Sequence, residues 1–305
     1  MNITIIGSGK VGAYAALNCG LRELGDVLLL DIIQGLPEGE AMDINHQLAE
    51  RGSDSKISGS NNYEDMKGSD IVVLVAGVGR KPGMTRMDLL RTNASIVKDV
   101  ASKIASYAKD SKLIVVTNPL DPMTYLVLKK TGFKKSNVMG MGGMLDLSRF
   151  KDFIADTAKV SRDSVHAMVI GEHGENMLPL IRFSSIGGIP LNQFISNQQD
   201  ATELFEKTRK VAMEVISLKG ATVFAPGNAI TTMVEAIIKD KRLVIPVSTL
   251  LEGEYGLSGI CIGVPAIVGA AGVDKIIEVK LDDSEQDIFS KGANSVKEAV
   301  NALQI

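Results

Sequence analysis

The chain contains no tryptophan, and aromatic residues fill only 4% of its 305 positions. No functional reading attaches to that scarcity, but the other shortages are informative. Only two cysteines are present, Cys19 and Cys261, in different halves of the chain and in no C-x-x-C or other metal-ligand spacing. They read as two buried, reduced thiols, not as a disulfide framework or a metal site. Charge of one sign forms no long block and the formal net charge is −3, so charge balance favours no nucleic-acid partner. The lysines at 129, 130, 134 and 135 make a local basic patch that reads as a solvated helix end. Long hydrophobic runs are missing too. The uncharged stretch Leu257 to Val273 is punctuated by glycines and Pro265 and is too short to span a bilayer. A first strand that begins at residue 2 leaves no room for a signal or transit peptide. The expected location is therefore the cytoplasm, with no membrane partner. What remains is an ordinary globular composition, 45% apolar and 23% charged, over a length that usually forms two domains.

One stretch organises the rest. Asn2-Ile3-Thr4-Ile5-Ile6 reads as a buried strand and opens directly into Gly7-Ser8-Gly9-Lys10-Val11-Gly12, a G-x-G-x-x-G turn. A pattern of helical period (Val11, Ala15, Ala16, Leu17) follows to about Leu24, and a second apolar run, Val27 to Leu30, ends on Asp31. Each piece has a task in a dinucleotide site. Gly7 permits the tight turn, Gly9 lets the backbone approach a pyrophosphate, and Gly12 lets the helix pack near the sheet. The helix N-terminus offers unpaired N–H groups and a partial positive charge to phosphates. Asp31 can accept hydrogen bonds from both ribose hydroxyls and would repel a 2′-phosphate, and neither Ile32 nor Ile33 supplies a cation for one. That favours NAD and disfavours NADP. A glycine turn alone also fits an α/β protein without a nucleotide; the strand, helix and terminal aspartate around it carry the inference.

Further along, a helix is expected over about 36–49, short strands near 56–58 and 70–75, a loop from Ala76 to Met87, and a long helix over about 88–108. A strand over 113–116 runs into Thr117-Asn118-Pro119, Pro122 begins another helix, and Val138-Met139 is a sixth strand. Ile71-Val72-Val73-Leu74-Val75, nearly all aliphatic, is what a strand covered on both faces requires. Strands alternating with helices predict an α/β fold: a doubly wound Rossmann sheet of six parallel strands, with ligands at the strands' carboxyl ends. Beyond Gly142-Gly143 the pattern changes. Helical periods at 143–158, 200–219, 225–239 and 283–305 bracket strand-like runs at 165–170, 243–250, 260–268 and 275–280, with a turn over Ala270–Asp274. The expected organisation is a cofactor domain over 1–143 and a mixed α+β substrate domain over 144–305.

Three histidines are candidates for proton chemistry. His46 lies in a helical stretch and His166 beside an apolar run, so both read as structural or surface residues. His173 follows a strand-like run within Gly171-Glu172-His173-Gly174, where flanking glycines leave an imidazole open to a ligand. An imidazole titrates near neutrality and can exchange the proton of a reacting hydroxyl. Asp146 and Arg149, three apart, project from one helix face. That spacing fits a surface ion pair worth little. It also fits two separate tasks, Asp146 fixing a histidine tautomer and Arg149 gripping a carboxylate with its planar fork. The loop from Gly77 to Arg86 carries Gly77, Gly79, Gly83, Arg80, Lys81 and Arg86. It has the composition of a lid over an anionic substrate, and equally of a solvated surface loop.

Taken together these motifs resemble the lactate/malate dehydrogenase family over essentially the whole chain, and most closely its lactate-dehydrogenase-like malate dehydrogenase branch. The resemblance rests on the glycine turn, Asp31, Ala76-Gly77 with Arg80 to Arg86, Thr117-Asn118-Pro119, Leu145-Asp146-Leu147-Ser148-Arg149 and Gly171-Glu172-His173-Gly174. It implies NAD-dependent oxidation of (S)-malate, with His173 as proton acceptor and donor, Asp146 holding its tautomer and Arg149 on the substrate carboxylate. It further implies that Arg86 polarises the carbonyl on lid closure, that Asn118 bonds the substrate oxygen, and that Asn93, Val116, Thr117 and Asn118 border the nicotinamide. Arg80 matches the residue that is arginine in malate enzymes and glutamine in lactate enzymes. A cation there suits a second carboxylate, so a dicarboxylate is the expected substrate. One departure stands out: Glu175-Asn176 follow His-Gly where the family usually has aspartate, which leaves fine tuning of the histidine loop open. A homo-oligomer is implied, a tetramer before a dimer. No metal is expected. The rival readings are a lactate or other 2-hydroxy-acid dehydrogenase on the same fold, an NAD-dependent glycosidase of related fold, and a non-catalytic NAD sensor.

Overall fold

The computed structural model of the chain describes residues 1–79, 83–195 and 198–303. The first half alternates strand and helix: β1 (Asn2–Ile6), α1 (Lys10–Leu21), β2 (Asp26–Leu30), α2 (Leu36–Arg51), β3 (Ile57–Ser60), β4 (Ile71–Leu74), α3 (Arg86–Tyr107), β5 (Lys112–Val115), α4 (Leu120–Thr131) and β6 (Val138–Gly140). The second half holds α5 (Gly143–Ala158), β7 (Val165–His166), β8 (Val169–Gly171), β9 (Met177–Pro179), β10 (Ser185–Ile186), β11 (Ile189–Pro190), α6 (Gln198–Lys219), α7 (Phe224–Ile238), β12 (Leu243–Glu252), β13 (Ser258–Gly269), β14 (Gly272–Ile276) and α8 (Asp283–Ala302).

The first six strands are parallel in the order β3-β2-β1-β4-β5-β6, the doubly wound arrangement expected. Alternate residues of each strand enter opposite cores, because successive side chains point to opposite faces. Ile3, Ile5, Ile71, Val73 and Ile114 pack beneath α1 and α7, whereas Ile6, Val72, Leu74, Leu113 and Val115 pack beneath α3 and α4. Continuous aliphatic runs are the sequence consequence of that two-sided burial. Helix ends carry their own signals. Pro37 opens α2 and Gly52 closes it in the left-handed conformation; Thr85 with Asp88 and Asp282 with Glu285 form capping boxes at α3 and α8.

The second half does not build a wholly separate layer. β12 pairs antiparallel with β6 through Ser248 and Gly140, and the sheet continues through β13, β8 and β9, with β14 also paired to β13, to eleven strands among the described residues. A Cβ on Gly140 would lie 2.9 Å from Ser248 Cβ and 2.4 Å from Thr124 Oγ1, so this junction needs glycine. The run expected over 165–170 splits between two sheets: β7 joins β10 and β11, and β8 joins the main sheet. The turn expected over Ala270–Asp274 is tighter, Ala270-Ala271 only, and the last strand ends at Ile276. Gly272 makes that possible, with φ +85° and Ser136 O only 2.0 Å from where a Cβ would sit.

Candidate active site

The glycine turn after β1 assigns a different task to each glycine. Gly7 adopts φ +106°, and a Cβ there would meet Ala76 N at 2.8 Å. A Cβ on Gly12 would lie 1.9 Å from Gly7 O, so only glycine lets α1 pack this close to the turn. Gly9 is the reverse case: a Cβ would meet nothing within 4 Å. It lines open space at the start of α1, where Lys10 and Val11 begin the helix and no side chain caps the first N–H groups. A pyrophosphate fits there. Ser8 is fully buried with Oγ unpartnered, and its N–H donates to Asp31 Oδ2 at 2.8 Å. Asp31 Oδ1 accepts the N–H of Ile33 at 3.0 Å. The aspartate is thus aimed by two backbone donors and keeps a lone pair on each oxygen for ribose hydroxyls. Ile32 and Ile33 beside it are 76% and 59% exposed and offer a phosphate nothing.

At the carboxyl ends of β4 and β5, Thr117 Oγ1 donates to Ala76 O at 2.7 Å beside Val116. Asn93, on α3, is 1% exposed. Its Nδ2 donates to Val78 O and Asn118 O at 3.0 and 2.6 Å, and its Oδ1 accepts the Val78 N–H at 2.8 Å. Both amide protons are therefore spent on backbone. Asn93 ties the base of the glycine-rich loop to the loop after β5, and one Oδ1 lone pair remains for a cofactor. The Asn118 side chain is exposed.

The acid–base centre assembles where α5 begins beneath β8. Asp146, in the first turn of α5 and 1% exposed, accepts from Arg149 Nη1 at 3.0 Å through Oδ1. Its Oδ2 lies 2.6 Å from His173 Nδ1. An ionised carboxylate only accepts, so Nδ1 carries the proton and Nε2 is left to exchange one. Close packing enforces the contact: a Cβ on Gly142 would come within 2.7 Å of the His173 ring, and one on Gly143 within 2.7 Å of Pro246. Burial acts to lower the affinity of His173 for its proton, but the charge and hydrogen bond of Asp146 and the charge of Asp121 outweigh it, with Arg149 opposing. The net direction is upward from the ordinary imidazole value. Burial lowers Arg149, and Asp146 offsets part of that. A guanidinium that spends one nitrogen on Asp146 keeps donors with which it can take a carboxylate.

Arg86 opens α3 and is half-exposed, with Nη2 2.8 Å from Glu172 Oε1. That ion pair places Arg86 beside the histidine loop. Arg80, together with Lys81 and Pro82, lies outside the described residues. His46 and His166 are both exposed, away from this centre. Cys19 and Cys261 are buried; burial pushes the first thiol up to about 12 and raises the second as well, so neither is a nucleophile.

Sequence reasoning assigned no role to several residues that hold this centre. Glu172, buried, binds Arg86 and Ser295 Oγ (2.9 Å) through Oε1 and Asn176 Nδ2 (2.6 Å) through Oε2. Asn176 belongs to the Glu175-Asn176 pair that departs from the family pattern, and it supports the histidine loop by way of Glu172. Asp121 Oδ2 accepts the backbone N–H of His173 at 2.8 Å. A cavity of about 190 Å³ opens on the cluster, bordered by Arg86, Leu120, Glu172, His173, Val296 and Ala299.

Residues 1–140 match the NAD-binding domain of lactate/malate dehydrogenase, and residues 143–304 match that family's α/β C-terminal domain. The malate dehydrogenase of Methanosarcina mazei is 43% identical over 307 residues, covering 100% of both chains. That of Shouchella clausii is 45% identical, covering 99% of this chain and 97% of its own. Among solved structures, Cryptosporidium parvum malate dehydrogenase superposes with a TM-score of 0.97 at 39% identity, over 99% of this chain and 98% of that one. The lactate dehydrogenase of the same organism, complexed with lactic acid and the cofactor, gives 0.96 at 39% identity, with 99% and 98% covered. The chain belongs to the lactate/malate dehydrogenase family.

Proposed function

We propose that the protein is an NAD-dependent malate dehydrogenase, interconverting (S)-malate and oxaloacetate. The observation that carries this reading is the Asp146 carboxylate shared between His173 Nδ1 and Arg149 Nη1, at 2.6 and 3.0 Å. It joins a proton carrier to a carboxylate receptor on one buried charge. Arg149 holds the carboxylate next to the reacting carbon. His173 Nε2 removes the hydroxyl proton in oxidation and returns it in reduction. Asp146 keeps the imidazole in the accepting tautomer and stabilises it once charged, the task of the acid in a Ser-His-Asp triad. Arg86 and Asn118 stabilise the oxygen on which negative charge develops. The nicotinamide cofactor supplies the two-electron acceptor when bound in the cleft formed by the glycine turn, Asp31 and the ends of β4 and β5.

Fold does not choose between malate and lactate, since relatives of both names superpose equally well. The choice of malate rests on Arg80, whose charge would face the second carboxylate of oxaloacetate and be stranded by the methyl of pyruvate. Stranding a desolvated charge costs about 3–5 kcal/mol, roughly a hundred-fold to several thousand-fold in specificity. Asp31 and its flanking isoleucines support NAD over NADP. Family resemblance supports a homotetramer, and exposed Met213, Ile216 and Leu218 on α6 offer apolar area for contact between copies.

The deciding experiment is initial-rate oxidation of NADH with oxaloacetate beside pyruvate, for the native protein and Arg80→Gln. Oxaloacetate should be preferred by the native enzyme, and the variant should lose far more kcat/KM for oxaloacetate than for pyruvate. Equal losses remove Arg80 as selector, and a native preference for pyruvate makes the enzyme a lactate dehydrogenase. NADH binding without turnover of either leaves a sensor.

A further inference from the structure

Asp121 has no part in the mechanism above, yet it is among the most enclosed charged side chains in the protein, 2% exposed in the first turn of α4. Its Oδ2 accepts the His173 N–H at 2.8 Å. Its Oδ1 makes no well-formed hydrogen bond, and neither does the buried Ser248 Oγ nearby on β12. An acceptor for one peptide N–H does not need a charge: asparagine or a hydroxyl would serve. Burying a carboxylate whose second oxygen has only the poorly aligned Ser248 hydroxyl near it disfavours the folded state. The groups facing it explain what the charge is for. From the histidine loop these are the His173 imidazole and the Glu172 carboxylate, and from β13 the Cys261 thiol. Around His173 the set is completed by Asp146 and Arg149 from α5. Arg86 from α3 and Glu298 from α8 border the same cavity as Asp121.

We propose that Asp121 is a positioning residue for His173: it anchors the histidine loop to the start of α4 through the His173 N–H and adds a second negative charge that acts on the imidazole. This rests on the reading of His173 as the proton carrier. Asp146 orients the ring and Asp121 fixes the backbone from which the ring hangs, so the imidazolium formed during malate oxidation is favoured by two carboxylates, one bonded to the ring and one to the backbone. The electrostatics agree. Burial pushes Asp121 up to about 6, against the lowering effects of Ser248, the His173 N–H and the His173 charge, while Glu172 raises it. Asp121 is therefore mostly ionised over the neutral and alkaline range in which the imidazole must take up a proton, and each charge favours the other.

The test is the pH dependence of kcat/KM for malate oxidation in the native enzyme, Asp121→Asn and Asp121→Glu, together with an NMR titration of isotope-labelled histidine rings. Asparagine keeps the acceptor and removes the charge, so the inflection and the His173 ring titration should both move toward acid by about one pH unit. Asp121→Glu should restore them toward the native position, and the thermal midpoint of Asp121→Asn at pH 8 should not fall. An unmoved His173 titration overturns the proposal and leaves Asp121 a structural acceptor. If Asp121→Asn does not fold, Asp121→Ser is read in the same way; failure of both to fold also overturns the proposal, by making the charge a requirement of the fold. His173→Gln separates this from the parent reading. Loss of less than about tenfold in that variant removes His173 as proton carrier, whereas the NMR shift reports on Asp121 without reference to activity.

Discussion

Replacing Asp146 with asparagine should abolish most activity for a reason visible in the hydrogen bonds. Arg149 Nη1 can only donate, and it does so to Oδ1 at 3.0 Å, while Oδ2 takes the His173 Nδ1 proton at 2.6 Å. Asparagine has one acceptor oxygen for these two donors. The guanidinium cannot change its role, so the amide oxygen must turn to Arg149 and the NH2 to His173. An NH2 facing Nδ1 forces that nitrogen to accept, which moves the ring proton to Nε2. That tautomer cannot take the hydroxyl proton of malate. The same substitution in a Ser-His-Asp triad lowers kcat by ~10⁴, which at about 1.4 kcal/mol per decade is about 5.5 kcal/mol of barrier. The equilibrium between malate and oxaloacetate is untouched, so kcat/KM must fall by one factor in both directions. A separate cost falls on stability. Arg149, with only 12% of its side chain exposed, loses its counter-charge, and breaking a buried pair outright costs about 3–5 kcal/mol. The retained hydrogen bond keeps the loss below that range. The assay is initial rates in both directions at a temperature well below the variant's thermal midpoint. A loss under about tenfold in a folded variant would refute the tautomer argument.

Other consequences follow from the same geometry. Because His173 holds its proton above the ordinary imidazole value, malate oxidation should rise with pH through an inflection above about 6.5, and oxaloacetate reduction should fall through it. By linkage, the stability that this proton confers is fully present below about pH 6.5 and lost as pH rises through the folded-state value, which thermal midpoints measured across that window will register. Gly12→Ala would drive a Cβ to within 1.9 Å of Gly7 O and should lower both the thermal midpoint and NADH affinity. Gly9→Ala meets nothing within 4 Å and should leave the midpoint intact while weakening NADH, as read by fluorescence titration. Glu172→Gln keeps partners for Ser295 and Asn176 but removes the charge under Arg86. A charged hydrogen bond is worth about 1.5–3 kcal/mol, so kcat should drop roughly tenfold or more with a smaller change in KM; an unchanged kcat would free Arg86 from dependence on Glu172.

What could be read in the sequence was local. β1, the glycine turn, α1 and β2 with its terminal Asp31 are contiguous, and each glycine's task follows from its offset along that run. The aliphatic run at β4 follows from burial on both faces, Ile71 and Val73 toward one core and Val72 and Leu74 toward the other. Asp146 and Arg149 were legible as a pair because α-helical spacing puts them on one face; which task they perform was not. The joining of the two halves through Gly140 and Ser248 left no sequence signal, since a single residue pair carries it and a missing Cβ permits it. Asn93 was read as a cofactor contact, and its amide is mostly spent on Val78 and Asn118. The contacts that escaped notice share one property. Asp121 meets His173 across 52 positions, Arg86 meets Glu172 across 86, and Ser295 meets Glu172 across 123. They approach the Gly171–Gly174 loop from α4, α3 and α8, three separate directions. A group that performs chemistry can lie in a short motif, because its reactivity is set by its own atoms and its neighbours. A group that holds another still must arrive from elsewhere in the fold, because support along one segment leaves that segment free to move as a whole.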